Sequence, residues 1–196
     1  GALQAGHAVM PVPLADPETA RRLEQRFRPH ASWRRIGGRW KLLLHENPAP
    51  LHPDLALLLQ TSGSTGQGRG VRLSAGAVTA NAEAIAEYLR IGPQDRAALI
   101  LPLHYSYGLS VLHSHLARGA SLWLAGQAVL DPGFRDALVA SKATSLAGVP
   151  HHFTLLESVG LDDDLPEGLS CLTVAGGAMK PQAVRRWASA MDARGG

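Results

Sequence analysis

The chain has 196 residues, of which 45% are hydrophobic, so it is long enough for one or two compact domains and too apolar to be disordered. Its formal net charge is only +3, and its arginines are scattered in pairs without interleaved aromatic residues, which argues against a nucleic-acid-binding protein. A single cysteine excludes an intrachain disulfide and a cysteine-rich zinc site, and no stretch is long and apolar enough to span a membrane. We therefore expect a cytoplasmic protein.

The first fifty residues predict an incomplete N-terminal portion with a strand, a helix and a hairpin. Its elements in chain order are the end of a helix over 1–6, a strand over 7–12, a helix opening at 16–17, and two short strands over 32–36 and 39–45. Asp16 can cap that helix through its carboxylate, and Pro17 suits the first helical position. Gly37 and Gly38 separate the two short strands, which predicts a hairpin turn.

Residues 51–196 predict an α/β nucleotide-binding subdomain in which strands and helices alternate. Strands are expected over 55–59, 97–101, 120–124, 143–147 and 169–174, and helices are expected to begin near Ser74, Leu109, Asp131, Val149 and Pro181. Alternation of this kind implies a mostly parallel sheet with helices on both of its faces.

A loop rich in glycine and hydroxyl residues follows the apolar run 55–59 and extends from Gln60 to Val71. Glycines let backbone N–H groups turn towards a ligand, serine and threonine hydroxyls add donors, and Arg69 supplies a permanent positive charge. Such a concavity suits a phosphate chain. A flexible Gly/Ser linker is the alternative, but the position between a buried strand and a helix favours phosphate binding.

The stretch from Thr61 to Val71 resembles the signature loop of the adenylate-forming superfamily, which includes acyl- and aryl-CoA ligases, peptide-synthetase adenylation domains and luciferases. Two positions depart from that pattern, because Gly68 replaces its proline and Arg69 its lysine. The resemblance implies that the β- and γ-phosphates of ATP are held by Thr61, Ser62, Ser64, Thr65 and Arg69. It also implies that the loop is shaped by Gly63, Gly66, Gly68 and Gly70, and that Thr65 lies at a magnesium ion.

A second segment, Pro102 to Leu109, lies between a predicted strand and a predicted helix and resembles another core motif of the same superfamily. The resemblance makes His104 and Tyr105 candidate catalytic residues beside Arg69, and assigns Tyr107 and Gly108 to the pocket for the carboxylic acid. Read without the family, His104 is equally well a packed histidine in a turn, because a loop position only raises the prior for function.

A third segment, Val174 to Met179, also follows a predicted strand. The resemblance assigns Gly176, Gly177 and Ala178 to the adenine ring, whereas the residues alone predict a strand-to-helix turn with room for any ligand. If all three segments lie at the carboxyl ends of strands in one sheet, they converge on the crevice where open α/β sheets bind ligands.

The resemblance implies an AMP-forming acid–thiol ligase that activates a carboxylic acid with Mg·ATP and transfers the acyl group to coenzyme A or to the phosphopantetheine of a carrier protein. Fatty or aryl acids suit the apolar surroundings of the second segment. The superfamily's Thr-Glu motif, ribose-binding Asp and lid Lys do not occur here, so we expect an internal fragment of the large N-terminal domain that is inactive alone. A non-catalytic nucleotide- or partner-binding module on the same fold is the alternative.

Overall fold

Helices and strands alternate along most of the chain in the computed structural model, which describes residues 2–13, 16–60 and 69–193. The chain divides into two units, residues 1–75 and residues 76–196. The division falls after residue 75. The domain boundary that the sequence predicts between residues 50 and 51 stays a prediction.

Among its described residues, the first unit contains one helix and two separate antiparallel strand pairs. Its elements are α1 (Pro17–Phe27), β1 (Ala31–Ile36), β2 (Arg39–Leu44), β3 (Leu55–Gln60) and β4 (Gly70–Ser74). The start of α1 follows the sequence prediction, since the Asp16 carboxylate accepts a hydrogen bond of 3.0 Å from the backbone N–H of Thr19. The predicted hairpin is also present, with Gly37 and Gly38 at φ +58° and +79° between paired β1 and β2.

Three expectations for the first unit are wrong. Residues 2–6 form turns rather than the end of a helix, and the strand expected over 7–12 is reduced to an isolated bridge between Val9 and Leu57. Pro11 and Pro13 lack the N–H groups that would extend this pairing. The third correction concerns β3, which pairs antiparallel with β4 in a two-stranded sheet, so the loop that follows β3 does not leave the parallel sheet.

The second unit contains the predicted α/β arrangement. Its elements are α2 (Ala75–Tyr88, which begins at the unit boundary), β5 (Arg96–Leu99), α3 (Ser106–Ala117), β6 (Ser121–Leu124), α4 (Phe134–Ser141), β7 (Ser145–Gly148), α5 (Pro150–Ser158), β8 (Cys171–Val174) and α6 (Pro181–Asp192). The four strands form a parallel sheet in the order β6-β5-β7-β8, flanked by helices.

Helices cover both faces of this sheet. Because successive strand residues point to opposite sides, each central strand contributes side chains to two separate core clusters. Ala98 and Leu146 belong to a cluster that contains the buried side chains Phe134, Leu138, Phe153, Leu156 and Trp187 from α4, α5 and α6. Ala97, Leu99 and Ala147 belong to a second cluster, which contains Val111 from α3. The sheet is thereby fixed between helices, and its carboxyl-terminal edge carries the loops discussed below.

His115 is a buried polar residue that links α3 to β7. Its Nδ1 lies 2.9 Å from the Val111 carbonyl oxygen and its Nε2 lies 3.2 Å from the Ser145 Oγ. Because a carbonyl only accepts, Nδ1–H donates to Val111, and in the neutral ring Nε2 accepts from the Ser145 hydroxyl. Burial lowers the pKa of His115 below its usual value, so the folded chain favours the uncharged ring.

We expect the free energy of unfolding to decrease as the pH falls below about 6.5, the usual histidine value. In that range the unfolded chain binds protons that the folded chain excludes, and burial lowers the pKa values of His113, His115 and His152 alike. Urea unfolding at pH 7.5 and 5.5 measures this loss, which we expect to be smaller in His115→Gln. The exposed control His7→Gln should keep the wild-type loss, and an equal loss in all three proteins would contradict the assignment to His115.

Candidate functional site

The order of the strands makes one edge of the parallel sheet the candidate place for a ligand. After β5 the chain crosses to β6 on one side, and it later returns to β7 on the other side of β5. In open α/β sheets, ligands bind outside the carboxyl ends of the strands where the order reverses in this way. The segments that follow β5, β7 and β8 meet at this edge.

Tyr107 is anchored to this edge by a side-chain hydrogen bond. Its Oη lies 2.8 Å from the Thr173 Oγ1 on β8, so the first turn of α3 is tied to the strand that precedes the glycine segment. Burial raises the pKa of Tyr107, which keeps the phenol protonated at neutral pH. The Tyr105 ring lies edge-on to the Tyr107 ring, with 6.5 Å between their centroids and 81° between their planes.

Gly108 is required where α3 begins. A Cβ atom there would lie 2.4 Å from the carbonyl oxygen of Pro102 and 3.1 Å from that of Leu101, far inside van der Waals contact. The same Pro102 carbonyl accepts a hydrogen bond of 3.1 Å from the Tyr105 backbone N–H. Gly108 therefore serves the tight turn that positions the two tyrosines, which is a structural reason for its place in the motif.

The second segment, Pro102 to Leu109, and the third segment, Val174 to Met179, meet at Gly176. Its φ is +81°, and a Cβ atom there would lie 2.6 Å from the Tyr105 Oη and 3.2 Å from the Val149 Cγ1. A Cβ at Gly177 would lie no closer than 3.5 Å to the Pro150 ring, which is ordinary contact. Residues 174–178 are exposed, so Gly176, Gly177 and Ala178 form a strip at this edge with almost no side chain.

Val149 is a member of this site that the sequence analysis did not identify. It follows β7, packs against the cluster of Ala97, Leu99 and Ala147 together with the two tyrosines, and approaches Gly176. Its backbone N–H donates to the His152 Nδ1 at 3.2 Å, which fixes the first turn of α5. The sequence predicts only a helix start at Val149, because a proline follows it. Its position after a central parallel strand is the signal that indicates a place in the site.

His104 lies in the same turn as Tyr105 and is partly buried, and it forms no hydrogen bond with a side chain or backbone group of the described residues. Arg69 is exposed and immediately precedes β4. Gly70 lies in β4, where a Cβ would come within 3.1 Å of the Phe27 ring, so its small size serves packing in the first unit.

The remaining predicted phosphate-loop residues lie outside the described residues. They are Thr61, Ser62, Gly63, Ser64, Thr65, Gly66 and Gly68. Within the ranges 2–13, 16–60 and 69–193, no group of three or more His, Cys, Asp or Glu side chains is arranged to hold a metal ion. In the same ranges no helix has the length and apolar character needed to cross a bilayer.

Comparisons with known proteins identify the family of the chain. A family model described as AMP-binding enzyme matches residues 2–194. The nonribosomal peptide synthetase otaB of Aspergillus niger is 30% identical over 148 residues, which are 74% of this chain and 7% of that protein. The 2-succinylbenzoate–CoA ligase of Bacillus velezensis is 30% identical over 125 residues, which are 63% of this chain and 25% of the ligase.

Among solved structures, that of ATP-bound MatB from Rhodopseudomonas palustris is similar, with a TM-score of 0.60 and 28% identity. The match covers 69% of this chain and 27% of MatB. The chain thus spans between 7% and 27% of the length of these three relatives.

The contact between Tyr105 and Gly176 can be measured through stability. We expect Gly176→Ala to lower the free energy of unfolding by about 1–2 kcal/mol, because alanine disfavours the left-handed region and its Cβ meets the Tyr105 hydroxyl. The matched control Gly177→Ala should change stability by less than about 0.5 kcal/mol.

A double-mutant cycle separates the two causes. In a Tyr105→Phe background the hydroxyl is absent, so Gly176→Ala should cost at least about 0.5 kcal/mol less than in the wild type. Strictly additive effects of the two substitutions, measured by chemical denaturation, would show that the alanine Cβ at position 176 does not contact the Tyr105 hydroxyl.

Proposed function

Because the chain belongs to the AMP-binding enzyme family, we propose that it takes part in the ATP-dependent activation of a carboxylic acid to an acyl-adenylate. The observation that supports the proposal is the meeting of Tyr105 with the exposed Gly176 strip at the carboxyl-terminal edge of the parallel sheet, which is the edge where open α/β sheets bind ligands.

In the proposed reaction a carboxylate oxygen of the acid attacks the α-phosphorus of ATP. The bond between that phosphorus and the oxygen bridging to the β-phosphate breaks, and pyrophosphate leaves. Since negative charge develops on phosphate oxygens, positioning and charge neutralisation supply most of the catalysis. Arg69 is proposed to neutralise the departing β- and γ-phosphates together with the hydroxyls of Thr61, Ser62, Ser64 and Thr65, and a magnesium ion bound with ATP would share this role.

The second unit offers two kinds of contact to the acyl-adenylate. The backbone strip of Gly176, Gly177 and Ala178 lets a flat ring approach closely, which suits the adenine. The Tyr105 hydroxyl forms no hydrogen bond within the described residues and lies beside Gly176, so it is available to a polar group of the ligand. Tyr107, whose hydroxyl is engaged by Thr173, is proposed to form a wall of the acid pocket with Gly108.

We propose that the activated acyl group then passes to a thiol, which attacks the acyl carbon and releases AMP. The relatives include a peptide synthetase and a CoA ligase, so coenzyme A and a phosphopantetheine-bearing carrier protein are both candidate acceptors. A fatty or aryl acid, as in an acyl-CoA synthetase, suits the apolar side chains near Tyr107.

A non-catalytic nucleotide-binding module is the second candidate, favoured by the replacement of the usual Pro-Lys pair by Gly68 and Arg69. Lysine is a compact point charge, whereas arginine presents a planar fork, so the substitution changes how a phosphate is held.

Thermal unfolding with and without Mg·ATP tests nucleotide binding. At about 100 times its dissociation constant, Mg·ATP should add about 2.7 kcal/mol of stability. Arg69→Ala should lose most of this gain, whereas the control Arg72→Ala, an exposed arginine three positions further along, should keep it. If Mg·ATP stabilises the two variants equally, Arg69 does not contribute to nucleotide binding.

Pyrophosphate exchange then separates the two candidate functions. In a polypeptide that includes this chain together with the Thr-Glu and lid segments, acid-dependent exchange supports the ligase, and we expect Arg69→Ala to reduce it at least tenfold. Binding of Mg·ATP without exchange for any of a panel of fatty, aryl and amino acids would favour the binding module.

A further inference from the structure

A cavity of about 460 Å³ lies between the end of α6 and the loop that follows α5. The end of α6 contributes four residues at the spacing of a single helical face, which are Arg186, Ser189, Ala190 and Ala193. The loop contributes Asp162, Asp163, Asp164 and Leu165. Three of the four helical residues have small side chains, which leaves room for a ligand beside the acidic loop.

Asp162 has a carboxylate that the fold satisfies only in part. Its side chain is 2% exposed, and its Oδ2 accepts a hydrogen bond of 3.1 Å from the Arg186 Nη1. Its Oδ1 is also buried and has no hydrogen-bond partner within the described residues. A buried carboxylate oxygen without a donor is costly, and in folded proteins such an atom normally has a partner, whether protein, water or ligand. The cavity beside Asp162 is the place from which a donor can come.

The charges around the cavity favour a cation. The Asp164 carboxylate forms an ion pair with Arg135, and the Asp162 carboxylate forms one with Arg186. Asp163 is exposed and forms no ion pair within the part of the chain that the structure describes. One negative charge is therefore left over, and the carboxyl end of α6 adds the negative end of the helix dipole.

The available acceptors distinguish between kinds of cation. No group of three or more metal-ligating side chains within the described ranges is arranged to hold a metal ion. A guanidinium binds a carboxylate best through both oxygens, but Arg186 already occupies the Asp162 Oδ2. A primary ammonium group is a compact charge with three donors, so one free carboxylate oxygen is enough for it. The Ser189 hydroxyl, which has no hydrogen-bond partner among the described residues, offers a second acceptor.

We propose that this cavity binds a primary alkylammonium group. Its N–H groups donate to the Asp162 Oδ1 and to the Ser189 hydroxyl, and Asp163 balances its charge. Its carbon chain contacts the apolar side of the cavity, which is formed by Leu165, Ala190 and Ala193. The group belongs either to a free alkylamine or to a lysine side chain of another protein. None of the residues that line the cavity belongs to the proposed acyl-adenylate site, so binding here and acid activation succeed or fail separately.

Two ligands separate the two sources of the ammonium group, and a third is the control. Butylammonium represents a free alkylamine, the peptide acetyl-Gly-Lys-Gly-amide represents a lysine side chain, and tetramethylammonium has the charge without an N–H donor. We expect butylammonium to bind the 196-residue chain at least about tenfold more tightly than tetramethylammonium, because hydrogen bonds to charged groups are strong. Amide chemical shifts, followed at low salt, measure the binding and should change around Asp163 and Ser189. If the peptide alone binds, the site is one for a protein lysine; if butylammonium binds, a free amine is sufficient.

Variants identify the cavity. We expect Asp162→Asn to weaken binding of the better ligand at least about tenfold, since it removes the charge that faces the ammonium group. Asp163→Asn/Ser189→Ala should weaken binding as well, and it carries the test if Asp162→Asn unfolds, because both of its positions are exposed. The matched control is Asp192→Asn, an exposed carboxylate on the last turn of α6 that does not line the cavity. It should keep the wild-type affinity, and circular dichroism checks the fold of each variant.

Several results would overturn the proposal. They are equal affinity for butylammonium and tetramethylammonium, unchanged binding in Asp163→Asn/Ser189→Ala, an equal loss in Asp192→Asn, and tighter binding of methylguanidinium or of calcium ions than of either ammonium ligand. An absence of shifts with both ammonium ligands would also overturn it, because water alone would then satisfy the Asp162 Oδ1.

Discussion

The parallel pairing of β5 between β6 and β7 is the constraint on which the second unit depends. Small residues at Ala97 and Ala98 let helices pack closely on both faces of the central strand, and both alanines are almost completely buried. Because the strands run in the same direction, the loops that follow β5, β7 and β8 all emerge at one edge. Residues from three distant parts of the chain thereby meet without any long loop to bring them together.

At that edge the two tyrosines are held in different ways. Tyr107 is fixed, since its hydroxyl is bonded to Thr173 and its ring packs in the core beneath the edge. Tyr105 is held through its ring and backbone, while its hydroxyl lies over Gly176 without a hydrogen-bond partner in the described part of the chain. In the proposed site, Tyr107 would supply rigidity and the Tyr105 hydroxyl would supply a polar group for the ligand.

The sequence could predict what is decided locally or by periodicity. Asp16 and Pro17 start α1, Gly37 and Gly38 make the hairpin turn, and alternating apolar segments produce the parallel sheet flanked by helices. It could not predict pairings between distant segments. The run 55–59 has the same apolar character as a central strand, but it pairs antiparallel with β4, and the contacts of Gly176 with Tyr105 and Val149 depend on the order of strands. Family resemblance assigned Gly176 a role, whereas its steric requirement appears only in three dimensions.

The conformation of Gly176 also limits how the specificity of this edge can change. In the proposed site, a strip made of backbone would offer a ligand the same amide groups whatever mutations occur around it, because a side chain at this φ is disfavoured and would collide with Tyr105. A change in ligand specificity would therefore have to come from substitutions at the bordering positions, Tyr105 and Val149. These two residues belong to the segments that follow β5 and β7. A site built as we propose would keep a constant backbone surface and would leave discrimination between ligands to the side chains at positions 105 and 149.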